Sequence, residues 1–584
     1  MRKKFHLSYA SPQKVVIMGA FIISMISMAS CVDKDYDLSK DIDLTFKLGG
    51  DSISGPVGST DTIYLSKILK VSDSPVLHTY NNVYYLEKDG TAENVNIKIN
   101  QIRNNADIDL MSLSQTLIPK GTQVFPMEVS EDLSGISSSI NNYMSLELDG
   151  VPNEVTSISE VSLANTVATI SLKLGDASSM VRLTKLNNVT LQFPDFIESP
   201  DLDSNHRLTL NGNVINGTVT KNINITGINL GKQVAIANGT LSSDGYKVDL
   251  SGGITVASTS TGTLQNDVGL NFSVNFSSST VTEATGVFNP NISVKVDPVQ
   301  LDNIPDWLQG SNVMMDIYNP EIKLEVNNSL NIPIIVKNAT ITGASSVTIP
   351  NLYFDAAKSS VNYITRQGTL DFDPSPITAD AYYSIKVPNM NDVIRTIPKE
   401  IGISMPDVTA DREVHSIALG KTYQMNMKYQ VLIPFTFGNS LNISYNDTIK
   451  NLHKSLKDID GTNATVTGTV YSDIPLGLTL SMTPVDSEGN DLSQYLNIDI
   501  TKNIAAGGGS TTSVTPTPVT IIITEKQAGT IKNKLDALLL NVGAASSDAT
   551  NGKTLCSNQF MIMKDIRMKV AGGITVDCNK KDNN

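Results

Sequence analysis

Val268-Gly269-Leu270-Asn271-Phe272-Ser273-Val274-Asn275-Phe276 decides the fold class. Apolar side chains alternate with glycine, serine and asparagine, so an extended chain carries its apolar set on one face and its polar set on the other. Such a strand half-buries against a second sheet. Residues 322–326, 330–336, 466–471 and 476–482 read the same way, and Gly, Asn and Pro break the segments apart. Helical spacing is scarce. Its best instance is 525–540, with Ile531, Leu535, Leu538 and Leu539 on one stripe, followed by 448–459 and 391–397. With strands throughout and no regular strand–helix alternation, the expectation is an all-β chain of tandem antiparallel β-sandwich domains ending in a short helix and hairpin.

Composition narrows the classes further. The 584 residues are 40% hydrophobic, 17% charged and 6% aromatic, with mean hydropathy −0.05. That excludes a polytopic membrane protein and wholesale disorder. A net charge of −14 and a pI near 4.9 exclude a nucleic-acid partner, whose phosphates such a surface repels. Lys221-Asn222-Ile223-Asn224-Ile225-Thr226-Gly227 returns as Lys337-Asn338-Ala339-Thr340-Ile341-Thr342-Gly343. It returns again as Thr462-Asn463-Ala464-Thr465-Val466-Thr467-Gly468. The interval is the length of a sandwich domain. The expected order is 1–30 signal peptide, 31–65 tether and first strands, and sandwiches at 66–200, 201–310, 311–420 and 421–504. A linker at 505–518 and a terminal unit at 519–584 close the chain.

At the start, Arg2, Lys3, Lys4 and Lys14 precede an apolar run too short to span a bilayer, ending in Met28-Ala29-Ser30-Cys31. This resembles a bacterial lipobox, with Met28 where leucine is commoner. The resemblance implies cleavage before Cys31, diacylglycerol on its sulfur and a palmitate-type acyl chain on its amino group. Together the chains anchor stably where one does not. Asp33, Asp35 and Asp37 follow at once, which resembles the surface-export signal of Bacteroidetes outer-membrane lipoproteins. Their spacing also matches the start of a calcium loop, but Leu38 and Leu44 stand where that loop needs Gly and Glu. The expected location is the outer membrane, lipid-anchored and facing the cell exterior.

With Cys31 lipidated, Cys556 and Cys578 remain, and an even pair in an exported chain reads as a disulfide. They flank a strand at 560–570 and a turn at Ala571-Gly572-Gly573, so a hairpin is expected to bring them together. Tyr318-Asn319-Pro320, Leu324-Glu325-Val326 and Asn328-Ser329-Leu330-Asn331-Ile332-Pro333 resemble the β-sandwich of late-embryogenesis-abundant and water-stress-response proteins. Ser472-Asp473-Ile474-Pro475 resembles a second corner of that kind. The resemblance spans 313–343 and implies fold alone. Asp51-Ser52-Ile53, Asp61-Thr62-Ile63 and Asp447-Thr448-Ile449 resemble the O-glycosylation acceptor motif of Bacteroidetes, which implies glycans on Ser52, Thr62 and Thr448.

Chemistry is sparse. His78, His206, His415 and His453 are scattered, and the chain holds no HExxH, nucleophile elbow, P-loop or GxGxxG. No metal ligand set, catalytic residue or cofactor is assigned. Three carboxylate pairs, Asp201/Asp203, Asp371/Asp373 and Asp458/Asp460, suit a glycosidase by spacing, although acids beside Pro and Gly more often cap turns. Trp307 reads as a core plug. Of Tyr80, Tyr84, Tyr85, Tyr382 and Tyr383, one member of each adjacent pair is expected to face solvent. The expected function is a surface binding or adhesion module for a glycan or protein. A structural component of the envelope is the alternative, and a glycoside hydrolase the remote one.

Overall fold

A computed structural model describes residues 45–577, except 49–51, 105–107, 135–136, 140–145, 148–153, 176–179, 230, 232–234, 238–239, 243–246, 305–307, 310–312, 454–458 and 511. Cys31, Asp33, Asp35, Asp37, Trp307, Asp458 and Cys578 lie outside the described residues. The protein is all-β, and among the described residues helix is confined to short turns such as Leu65–Ile68 and Thr530–Asn533. Strand Val268–Phe276 buries Val268, Leu270, Phe272, Val274 and Phe276 and leaves the residues between them more exposed. Its alternation is what the sequence predicts.

The sandwiches are nested rather than serial. An inner sandwich is built on Val155–Gly175, which pairs with Thr218–Asn229 on one edge and with Val268–Phe276 and Ser279–Phe288 on the other. Its facing sheet runs Met127–Asp132, Lys247–Ser258, Val181–Gln192, Arg207–Asn213. The chain enters and leaves this unit through a middle sandwich. There Val83–Thr91 lies beside Thr422–Pro434, then Glu321–Asn328, Lys358–Thr365 and the parallel edge strand Ala381–Lys386. Ile334–Thr342 and Ser346–Phe354 face that sheet. Outermost, a terminal sandwich joins the first and last of the described strands. Thr45–Leu48, Ser52–Gly58 and Ile63–Tyr64 all pair along Phe560–Asp577. That strand pairs on its other edge with Ile459–Ser472, itself beside Thr515–Glu525. Val470, Leu480, Ile500, Ile504 and Val519 fill the core of this sandwich.

Several expectations are thereby corrected. Domains are not consecutive, because alternation tells which face of a strand is buried but not which strand it pairs with. Thr60 and Met563, 503 positions apart, are hydrogen-bonded neighbours. The helix expected over 525–540 is one turn, Thr530–Asn533, followed by strand Ala537–Ala545. Leu538 and Leu540 are buried while Leu539 is 43% exposed, a period of two. This strand pairs with Asn442–Ile449 on one edge and Gly477–Val485 on the other, and that two-sided ladder overrides helix propensity. The C-terminal hairpin is absent. Phe560–Asp577 is one continuous 18-residue strand, in which Gly572 and Gly573 pair with Gly461 and Asp460 beside a bulge instead of turning. The disulfide expected between Cys556 and Cys578 loses its hairpin; Cys578 lies outside the described residues, and among these Cys556 has no disulfide partner. The expected linker packs tightly: a Cβ on Gly507 would lie 2.4 Å from the backbone of Asp473. Strand Thr515–Glu525 then begins within it.

The seven-residue echo has a physical basis. Each copy lies in one strand of a different sandwich, within Thr218–Asn229, Ile334–Thr342 (with the next residue) and Ile459–Ser472. Each closing glycine sits where a side chain would be crowded. A Cβ on Gly227 would lie 3.0 Å from the Val161 carbonyl oxygen, one on Gly343 2.5 Å from that of Val393, and one on Gly468 2.5 Å from the Met563 methyl.

Candidate functional site

Strand Glu321–Asn328 points Ile322, Leu324 and Val326 into the core, so Glu321 and Lys323 lie on the opposite, outer face of the middle sheet. Both are nonetheless buried, because residues 366–380 cross that face as a strap. Asn319 Nδ2 donates to the Thr369 carbonyl at 3.0 Å and to Asp371 Oδ2 at 2.9 Å. The backbone N–H groups of Asp371 and Phe372 donate to Glu321 Oε1 at 3.1 and 3.2 Å. Lys323 Nζ forms an ion pair with Asp373 and donates to the Ser375 carbonyl at 2.9 Å. Phe372 rests edge-on against Tyr85 and Tyr80, with ring centroids 5.0 and 5.9 Å apart. Glu321 Oε2 is buried without a hydrogen-bond partner. Burial pushes this carboxyl up to about 8, so it is protonated at neutral pH.

The strap accounts for the residues that resemble the late-embryogenesis sandwich. Asn319 anchors its start. Asn328 ties the following corner: its Nδ2 donates to the carbonyls of Ile332 and Asp355, and its Oδ1 accepts the N–H of Leu330. The strap also explains the carboxylate pair Asp371/Asp373, whose members hold Asn319 and Lys323. Asp201 and Asp203 likewise accept backbone N–H groups, from Asn224 and from Asn205 and Arg207. These acids cap and pin; no two of them face each other across a cleft.

A polar cleft of about 200 Å³ opens where the strap begins, at the seam of the middle and terminal sandwiches. Its floor is Asp316, which is buried and accepts from Ser440 N at 2.9 Å and Arg366 Nη1 at 3.3 Å. Arg366 Nη1 also donates to the Ile317 carbonyl at 2.8 Å. One wall is the 3-10 turn Met390–Val393, formed where 391–397 suggested helix. Met390, Val393 and Ile394 anchor the turn in the core and leave Asp392 and Arg395 along the opening. Asn389, Asn439 and Ser440 complete the rim. Sequence reasoning missed this site because Arg366, Arg395 and Ser440 form no local pattern. The available signal was the scarcity of arginine, eight in the whole chain.

The remaining candidates stand apart. Tyr382 is 49% exposed and stacks on Tyr363 at 6.0 Å, whereas Tyr383 points inward, stacks on Tyr353 and donates to Asp355. Tyr80 is exposed, but Tyr84 and Tyr85 are both buried, against the expectation that one of the two faces solvent, because Phe372 of the strap packs over Tyr85. His206 lies 3.1 Å from the Ile197 carbonyl, His415 pairs with Asp411, and His78 packs on Tyr85. Among the described residues no three His, Cys, Asp or Glu side chains converge as a metal site. Ser52 is exposed on its strand, and Thr62 and Thr448 are half-buried. At the second corner Asp473 Oδ1 accepts from Phe560 N, while burial raises both its carboxyl and the nearby Cys556 thiol.

No known family profile matches the chain, and no curated protein matches it. Among solved structures it is similar to a protein of Parabacteroides distasonis provisionally described as secreted. Identity is 12%, coverage 89% of this chain and 100% of the other, and the TM-score 0.33. A triple jelly-roll protein of an archaeal virus turret gives 9% identity, 80% and 97% coverage and a TM-score of 0.11. At such scores neither likeness carries an argument, and the fold rests on the chain's own strands.

Proposed function

We propose that this protein is an outer-membrane lipoprotein, lipidated at Cys31 and turned to the cell exterior, that binds a ligand rather than transforming one. The observation that carries the second half is how its acidic groups are used. Asp371, Asp373, Asp201 and Asp203 are each engaged in holding a turn or the strap, while the seam cleft keeps arginine N–H groups unspent. A surface rich in donors and poor in free acid–base pairs suits recognition. The lipobox and the acidic run behind it support the location, since the removed leader leaves Cys31 as the attachment point. Two experiments test the reading. Cys31→Ala is expected to move the protein from the membrane to the soluble fraction, and protease added to intact cells is expected to cleave the wild type. Retention of the variant in the membrane, or protection until lysis, overturns the location. Product released from a glycan panel overturns binding without turnover.

A further inference from the structure

We propose that the seam cleft is the subsite for one carboxylated sugar unit of an acidic glycan, with Arg395 and Arg366 gripping the carboxylate. This rests on the reading of the protein as a binding module and names its ligand chemistry. Both arginines keep unspent donors. Arg366 uses Nη1 on Asp316 and Ile317, while its Nε and Nη2 take no partner among the described residues. Arg395 is exposed, and among the described residues its side chain donates only to the Met314 sulfur, at 3.6 Å. Its backbone is fixed, because its carbonyl accepts Met315 N at 2.7 Å. Two of the eight arginines in an acidic chain thus meet at one concavity. A guanidinium with a free edge matches a carboxylate through two parallel N–H···O bonds, a geometry lysine lacks.

The walls select the rest of the ligand. Asn389 offers its amide at the rim, while Asn439 donates to Asp548 and accepts from the Ser440 hydroxyl, leaving the Ser440 oxygen and the second Asn439 N–H to meet the hydroxyls of a sugar ring. Met314 and Pro388 supply apolar surface for its C–H face. A peptide carboxyl terminus would ask for an apolar side-chain pocket, and these polar walls provide none. Asp392, half-buried at the edge, can accept a hydroxyl but repels additional negative charge. The cleft therefore favours a monocarboxylate over a dianionic phosphate. A volume of about 200 Å³ holds a single ring, so neighbouring units of the glycan project into solvent. The net charge of −14 disfavours long-range capture of a polyanion, so the local grip must do the selecting.

The test is calorimetric and NMR titration of the full mature chain with glucuronate, glucose and acetate. Glucuronate is expected to bind, with glucose silent and acetate much weaker. Arg395→Gln is expected to weaken glucuronate about tenfold or more without altering the melting temperature, since one charged hydrogen-bonding group is lost from an exposed position. Arg366→Lys keeps a positive charge beside Asp316 but removes the planar fork, and is expected to weaken binding as well. Failure of glucuronate to bind, equal binding of glucose or acetate, or unchanged affinity in Arg395→Gln overturns the assignment. A glycan array separates this from the broader reading. Ligands retained equally by wild type and Arg395→Gln refute the subsite and leave the binding module standing, whereas an empty array refutes both.

Discussion

Glu321→Gln isolates the most costly group in the middle sandwich. In the unfolded chain this carboxyl ionises near its ordinary value of 4.5, whereas burial under the strap raises it to about 8 in the native state. Between those values the native protein holds a proton that the unfolded chain has released. Stability therefore falls as pH rises through the window and levels off above about 8. At 1.36 kcal/mol per pH unit, the ceiling on that loss is about 5 kcal/mol, with about 3 kcal/mol incurred by pH 7. Glutamine keeps the oxygen that accepts the Asp371 and Phe372 N–H groups and cannot ionise. It should match the wild type within about 1 kcal/mol at pH 5 and exceed it by about 2–5 kcal/mol at pH 9. Urea unfolding of both proteins at pH 5, 7 and 9, followed by circular dichroism through the transition that includes the middle sandwich, measures the difference. Parallel stability–pH curves would refute the reasoning, because they would mean that Glu321 ionises in the native state as freely as in water.

Other perturbations probe the same frame. Asn328→Ala strips three hydrogen bonds from a fully buried corner and should cost about 2–4 kcal/mol, read by chemical denaturation, with no rescue by Asn328→Asp because two of the bonds need an N–H donor. Gly507→Ala drives a Cβ against the Asp473 backbone and should cost about 1–3 kcal/mol, seen as a lower melting temperature, whereas Gly121→Ala meets no neighbouring atom and pays only for its positive φ. Burial and nearby Asp473 raise the Cys556 thiol, so iodoacetamide at pH 8 should label this residue slowly in native protein and rapidly after denaturation, as followed by mass spectrometry.

How far the sequence could be read differs from one segment to the next. The 268–276 stretch is legible because its period survives whichever strands flank it. Residues 525–540 mislead because leucines at 535, 538 and 539 satisfy a helical stripe, and only pairing on two edges selects the extended form. Gly572-Gly573 reads as a turn until Gly461 is found opposite it. Nesting is invisible to local pattern, since the partners of 45–64 lie at the far end of the chain. In the site, Asn319 and Asn328 were visible through their corner motif, but their task of fixing a strap was not. The pairing of Lys323 with Asp373 needs the chain to fold back across 50 positions, and the arginine cleft needs four separate segments.

The strip at 45–64 has a mechanical consequence. If Cys31 is the anchor, any tug between membrane and captured ligand enters the folded body at Thr45 and leaves the strip at Tyr64. Thr45 pairs with Asp577 and Tyr64 with Phe560, so the pull runs lengthwise along one strand. A ladder loaded in this direction shares the force among its rungs, instead of breaking them singly from one end. Residues 45–64 and 560–577 are thus joined in one clasp, through which load passes before it reaches the sandwiches nested inside.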